Sequence, residues 1–328
     1  MTPLQILRLL WVRALFSAML GSLLAAAAPA QMVTPEAPGS GLRAGDYRVA
    51  GLAWRLATGG RALCPRTVPQ SGLALHHLAQ YAPGDRAVVA GGFALERGPG
   101  IVAIAPGSPA ARAGLRAGDV LLSVDGEAFD PPTAIAAERR LEDRRRRIAQ
   151  SEALLDRHLG TGPVRLRILR ADADVELELQ AEPGCPIRAR LANSTQLNAF
   201  SDGETVVVTS RLLAFVDSDD ELAIVLAHEL AHNVLGHAAA LRQAGVPRGF
   251  LRRLGRNAAM LRQMEEDADR LAARLVAAAG FDPAAGIALW QRLERQPRGL
   301  RLFATHPGAG ERARRWAAAV AALNAGPE

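Results

Sequence analysis

Residues 218–237 read Ser218-Asp219-Asp220-Glu221-Leu222-Ala223-Ile224-Val225-Leu226-Ala227-His228-Glu229-Leu230-Ala231-His232-Asn233-Val234-Leu235-Gly236-His237. A serine followed three residues later by a glutamate is a capping box: the serine caps early N–H groups while the glutamate reaches back. It opens a helix expected to run from Leu222 through at least His237. Residues four apart share a helical face, so His228 and His232 can converge on one ion. Zinc accepts imidazole nitrogen at about 2.0–2.1 Å and, in catalytic sites, keeps one position open for water. Glu229, beside the first histidine, can reach that water as general base. The flanks Ala223-Ile224-Val225-Leu226 and Val234-Leu235 are apolar, which puts the motif on a core-packed helix.

A third ligand is required. On a continuous helix of about 100° per residue, His237 points about 140–180° away from His232 and His228. It is also one residue short of the third histidine in the H-E-x-x-H-x-x-G-x-x-H pattern, and Leu235 stands at the turn glycine. The metzincin reading is thereby excluded, and His237 is expected to be a helix-end or packing histidine. Glu265 and Asp269 lie four apart in the acidic run Met264-Glu265-Glu266-Asp267-Ala268-Asp269-Arg270. One carboxylate can bind zinc while the other orients a ligand histidine. Acidic residues also favour helix N-termini without any metal, and the residues alone leave both readings open.

Upstream, the texture is different. Gly100–Ile104, Asp119–Val124, Val164–Leu169 and Val175–Leu179 are short β-type runs, the last two alternating apolar and polar, with a hairpin expected near Asp172. A charged helix is expected over Ala134–Leu159, and a short helical pattern over Leu73–Tyr81, ended by Pro83-Gly84. The run Gly107-Ser108-Pro109-Ala110-Ala111-Arg112-Ala113-Gly114-Leu115-Arg116-Ala117-Gly118-Asp119-Val120-Leu121-Leu122-Ser123-Val124-Asp125-Gly126 resembles a PDZ domain of the bacterial protease-associated kind. That resemblance implies a groove for a C-terminal or extended peptide, and places the carboxylate loop at Gly91-Gly92-Phe93.

Downstream, Thr205–Thr209 is a β-branched strand, and helices are expected over Arg252–Ala279, Pro283–Arg295 and Gly310–Leu323. His228-Glu229-Leu230-Ala231-His232, Glu265-x-x-Ala268-Asp269-Arg270, Ala279-Gly280-Phe281-Asp282-Pro283 and Thr305-His306-Pro307 follow in order, with Asn198-Ala199-Phe200 before them and Arg312 after. Over roughly residues 186–316 this series resembles the gluzincin family of the CAAX prenyl protease, HtpX, Oma and BepA-type peptidases. The resemblance implies one zinc per chain on His228, His232 and Glu265, Glu229 as base, and Asp269 behind the ligands. It brings His306 to the metal, either to stabilise the oxyanion or to fill the open position, with a structural histidine as the other reading. It sets the strand at 205–209 near the edge where an extended substrate pairs. Arg312 receives no role.

The 328 residues carry a formal charge of +6 and 49% hydrophobic residues, a globular balance with length for two domains. There is no lysine, and the one arginine block, Arg144–Arg147, has no interleaved aromatics, so nucleic acid is not an expected partner. Arg8 and Arg13 precede the uncharged run Ala14–Ala30, which ends in Ala28-Pro29-Ala30. This reads as a cleaved export signal rather than a retained anchor. No other stretch is long and apolar enough to span a bilayer. An oxidising compartment permits Cys64 and Cys185 to pair and clamp the ends of the inserted segment, the alternative being two separate buried thiols.

The fold expected is α+β: a zincin-like, mostly helical metallopeptidase domain with a small sheet, plus an inserted β-rich PDZ domain. The bounds are 1–30 for the signal peptide, 31–45 for a linker, 46–86 and 184–328 for the peptidase, and 87–183 for the PDZ domain. The function expected is a periplasmic or secreted zinc endopeptidase acting on proteins or peptides, such as misfolded or envelope proteins. Its PDZ domain recruits substrate or regulates. Membrane contact is expected only through an uncleaved signal. The competing reading is a PDZ-based peptide-binding or chaperone-like protein with an inactive zinc site, which the intact Glu229 opposes. An intramembrane protease fails because Asp219, Asp220, Glu221 and Arg242 bracket a helix too polar for lipid.

Overall fold

The computed structural model describes residues 40–129, 141–246, 255–296 and 309–324. The signal segment and most of the expected linker lie outside the described residues, as do Thr305, His306 and Pro307.

The chain starts with helix α1 (Ser40–Gly59), followed by the short strand β1 (Val68–Gln70) and by β2 (Leu73–His76). Helix α2 (Arg86–Phe93) leads to β3 (Gly100–Ile104), β4 (Val120–Val124) and β5 (Glu127–Ala128). After helix α3 (Leu141–Leu159) come β6 (Val164–Arg170), β7 (Ala173–Leu179) and β8 (Glu182–Gly184). One sheet has the order β2-β3-β4-β6-β7, with β5 on β4, and all its pairs are antiparallel. The β6–β7 connection is Ala171-Asp172, both at positive φ (47° and 65°), the requirement of a two-residue turn matched to strand twist. Alternation in β6 points Val164, Leu166 and Ile168 inward and Arg165 and Arg167 outward. The inward set packs with Ile148, Leu155 and Leu159 of α3 into a closed core.

Two expectations fail here. Leu73–Tyr81 is a strand and a single 3₁₀ turn (Leu78–Gln80), not a helix. Leu73 and Leu75 alternate against β3, and that pairing overrides local helix propensity. Gly91, Gly92 and Phe93 form the last turn of α2 rather than a loop. The strand after them, β3, lies between β2 and β4 and has no free edge for a peptide; the outer strands of the order are β2, preceded by Gly72 at φ +78°, and β7.

The rest of the chain builds a second core. β9 (Arg188–Ala192), β10 (Ala199–Ser201) and β11 (Thr205–Thr209) form a sheet of order β10-β11-β9, with β9 parallel to β11. β11 is therefore the central strand, and the sheet's edges, β10 and β9, lie one strand to either side of 205–209. Helices α4 (Asp219–Val234), α5 (His237–Gln243), α6 (Gly255–Ala278), α7 (Ala285–Glu294) and α8 (Ala309–Asn324) follow. Val206 and Val208 face a core shared with Leu56 of α1, Leu226 of α4, Leu275 of α6 and Trp316 of α8. Gly286 admits Trp316 against the backbone: a Cβ there would meet the indole at 2.3 Å.

Two links join the ends of the first sheet region. β1 pairs antiparallel with β8, Gln70 opposite Glu182, and Cys64 is disulfide-bonded to Cys185. No helix among the described residues is long and apolar enough to cross a membrane.

Candidate metal centre

Helix α4 is anchored at its start. Ser218 Oγ accepts from Glu221 N–H at 3.2 Å, and the Glu221 carboxylate accepts from Asp217 N–H at 2.8 Å. Both Glu221 oxygens also take guanidinium hydrogens of Arg292 on α7, at 2.7 and 2.6 Å. The helix is buried from Glu221 to Ala231, so His228 and Glu229 are carried into the core at 0% and 1% exposure. Helix α6 packs beside α4 and delivers Glu265 and Asp269, also buried.

His228 Nε2 and His232 Nε2 face each other at 3.0 Å. Each lies 3.6 Å from an oxygen of Glu265. Behind them, His228 Nδ1 is 3.0 Å from Asp269 Oδ1, and the same oxygen accepts from Arg312 at 3.1 Å. Arg312 also stacks on Trp290, its guanidinium carbon 3.9 Å from the ring centre. Burial pushes the Asp269 carboxyl up, but Arg312 and His228 outweigh it, and the net direction is down. For His228, burial and Arg312 push the imidazole down, and the contacts with Asp269 and Glu265 prevail, so its net direction is up.

Two imidazoles and one carboxylate are the nitrogen and oxygen donors of catalytic zinc sites. Donors placed tetrahedrally at about 2.0–2.2 Å from a zinc are about 3.3–3.6 Å apart. The two Nε2 atoms are 3.0 Å apart and each is 3.6 Å from a different Glu265 oxygen, and one ligand atom from each residue lies within 4.8 Å of the other two, so His228, His232 and Glu265 fit that ion. Among the described residues they are the group of His, Cys, Asp and Glu side chains able to hold a metal. Glu229 lies beside them on α4.

The His237 reading changes in part. Helix α4 stops at Val234, Gly236 adopts φ +67°, and His237 begins α5, so the continuous-helix geometry does not apply. The ring returns to the centre, with Nδ1 2.8 Å from Nδ1 of His232. Burial holds the His237 imidazole below its ordinary value. The signal for this was in the sequence: a glycine after the last periodic residue is a helix stop.

A cleft of about 970 Å³ opens beside the centre, lined by the free edge of β2, by α3, by β9 and by Asn233 and Val234 at the end of α4. It does not contain the three donor atoms. From β9, Arg190 donates to the Leu75 carbonyl of β2 at 3.3 Å and to Glu152 of α3 at 2.6 Å. Arg188 pairs with Glu152 and Asp156 on the same helix.

Residues 167–248 and 249–319 match the family described as Peptidase family M48, and residues 100–148 match the PDZ domain. The chain carries an M48 peptidase domain and a PDZ domain. The M48 match takes in the buried histidine and carboxylate cluster of α4 and α6. The chain is 33% identical over 141 residues to the mitochondrial metalloendopeptidase OMA1 of Schizosaccharomyces pombe, covering 36% of this chain and 42% of that protein. It is 30% identical over 155 residues to the beta-barrel assembly-enhancing protease of Yersinia pestis, covering 37% of this chain and 32% of that one. The chain thus spans less than half the length of either curated relative. Among solved structures, an HtrA3 PDZ domain bound to a phage-derived ligand covers 36% of this chain and 86% of that one, at 18% identity and a TM-score of 0.24.

Proposed function

We propose that the chain is an exported zinc-dependent endopeptidase, holding one zinc per chain and cleaving peptide bonds in misfolded or envelope proteins. The observation that carries the reading is the convergence of His228 Nε2, His232 Nε2 and Glu265 within 3.6 Å of one another, with buried Glu229 on the same helix. Zinc held by those three residues would supply a Lewis acid and make water acidic enough to attack near neutral pH. Glu229 then takes the proton of the attacking water on its carboxylate and passes it to the leaving amine. Asp269 holds His228 in orientation through Nδ1. By the resemblance of Thr305-His306-Pro307 to the family motif, His306 is assigned to stabilising the oxyanion or filling the open position. Export is supported by the signal-like N-terminus and by the Cys64–Cys185 bridge, which suits an oxidising compartment.

The peptidase is built from α1 and the region after β8, with the PDZ domain inserted as β2 to β7. The β1–β8 pair and the disulfide, which close the ends of that segment, support these bounds. The PDZ groove is the cleft between β2 and α3, and its role is regulatory, since Arg190 of β9 already bridges it and Arg188 pairs with its α3 wall. The test is zinc content and casein cleavage for the wild type and Glu229→Gln. About one zinc in both, with cleavage by the wild type alone, upholds the enzyme. Zinc in both with cleavage by neither, even after His306→Ala, replaces it with a peptide-binding module.

A further inference from the structure

Each of the two histidines in the centre presents Nε2 to the cluster and Nδ1 to something behind it. Behind His228 stands Asp269, at 3.0 Å. Behind His232 stands His237, Nδ1 to Nδ1 at 2.8 Å, with ring centres 4.9 Å apart and planes at 71°. The second arrangement depends on the turn after α4. Leu235 N–H still bonds Ala231 O at 2.9 Å, and Gly236 N–H bonds Asn233 O at 3.1 Å. Gly236 then takes φ +67°, a conformation that costs most other residues about 1–2 kcal/mol. α5 starts at once, and His237 is buried at 8% exposure in its first turn.

We infer that His237 is a positioning residue for the metal, fixing the ring plane and tautomer of His232. A neutral imidazole carries hydrogen on one nitrogen only. If His232 offers the lone pair of Nε2 to a metal, its hydrogen is on Nδ1, and the group facing that hydrogen is His237 Nδ1. His237 accepts there and keeps its own hydrogen on Nε2. His232 needs such a partner more than His228 does: its side chain is 12% exposed, against 0%, and it occupies the last turn of α4. Partners of this kind set the orientation and basicity of a ligand, and removing one costs about 10–100-fold in metal affinity.

The inference rests on the proposed metal site, and the experiment separates the two. The metal-stripped full chain is titrated with zinc against a chromophoric chelator as wild type, His232→Ala, His237→Phe and His237→Asn, with the melting temperature of each metal-free form recorded. Phenylalanine keeps the ring and removes the acceptor; asparagine sets Oδ1 where Nδ1 was. The expected result is a 10–100-fold loss of zinc affinity in His237→Phe, with recovery to within about threefold of wild type in His237→Asn. The visible spectrum of the cobalt(II) form should change in the phenylalanine variant and revert in the asparagine variant. Should His237→Phe not fold, His237→Ala takes its place. Wild-type affinity in the phenylalanine or alanine variant, or equal loss in these and His237→Asn, overturns the inference. Zinc binding that is absent in the wild type or indifferent to His232→Ala overturns the metal reading, and the inference with it.

Discussion

The guanidinium of Arg312 lies 3.1 Å from Asp269 Oδ1, the oxygen that faces His228 Nδ1 at 3.0 Å. A buried carboxylate thus has a cation on one side and a ligand histidine on the other. Asp269→Asn keeps the shape and removes the charge, and should weaken zinc binding about 10–100-fold in a chelator competition. Arg312→Met should cost about 3 kcal/mol in urea unfolding, because it leaves Asp269 buried with its main cation removed.

The Cys64–Cys185 bridge spans 121 residues of sequence. In the chain-entropy picture a loop of that size contributes about 4–5 kcal/mol. Cys64→Ser with Cys185→Ser should therefore lower unfolding stability by about 2–5 kcal/mol. Dithiothreitol should lower the melting temperature of the wild type and leave that of the double variant unchanged.

Arg190 occupies the Leu75 carbonyl, an edge acceptor that an added peptide strand needs. Removing the arginine alone would leave Glu152 with Arg188 as its remaining cation, so the test pairs Arg190→Ala with Glu152→Gln. Affinity for a fluorescent pentapeptide with a free C-terminal valine should rise about tenfold, the worth of one charge-assisted hydrogen bond of about 1.5 kcal/mol. An unchanged affinity would mean that the bridge does not guard the groove.

His76 is 6% exposed, bonded to Tyr81 Oη at 2.7 Å. Burial, with Arg43 and His77 near by, pushes its imidazole down to about 4. Between its ordinary value of 6.5 and about 4, the unfolded chain takes up a proton that the folded one refuses. Stability should fall with pH across that window, by about 3 kcal/mol at most from this residue. The wild type should lose more than His76→Gln between pH 7 and pH 4, read as urea midpoints in EDTA.

The centre was legible because H-E-x-x-H at four-residue spacing fixes its own geometry once the helix forms. Glu265 was less so: it joins from α6 across the helix interface, and an acidic helix start has an ordinary reason to exist. Its placement needed the succession of motifs, and then the 3.6 Å distances. His237 was misplaced because one glycine ended the helix before the periodicity did. Strand β2 was missed because Leu73-Ala74-Leu75-His76 is short and its character comes from pairing with β3, a partner distant in sequence. The same reason hid the peptide edge, since which strand is outermost is a property of the sheet and of no single segment.

The β1–β8 ladder has a practical side. Gln70 and Glu182 sit opposite each other in an antiparallel pair, which is the geometry of a hairpin about to close. The 111 residues between them can be cut out and the strands rejoined by a two-residue Asn-Gly turn. On the proposed domain bounds, the module would be wired into the chain as a removable cartridge. A shortened chain that still holds zinc would give the peptidase a baseline against which any control by the cartridge can be measured.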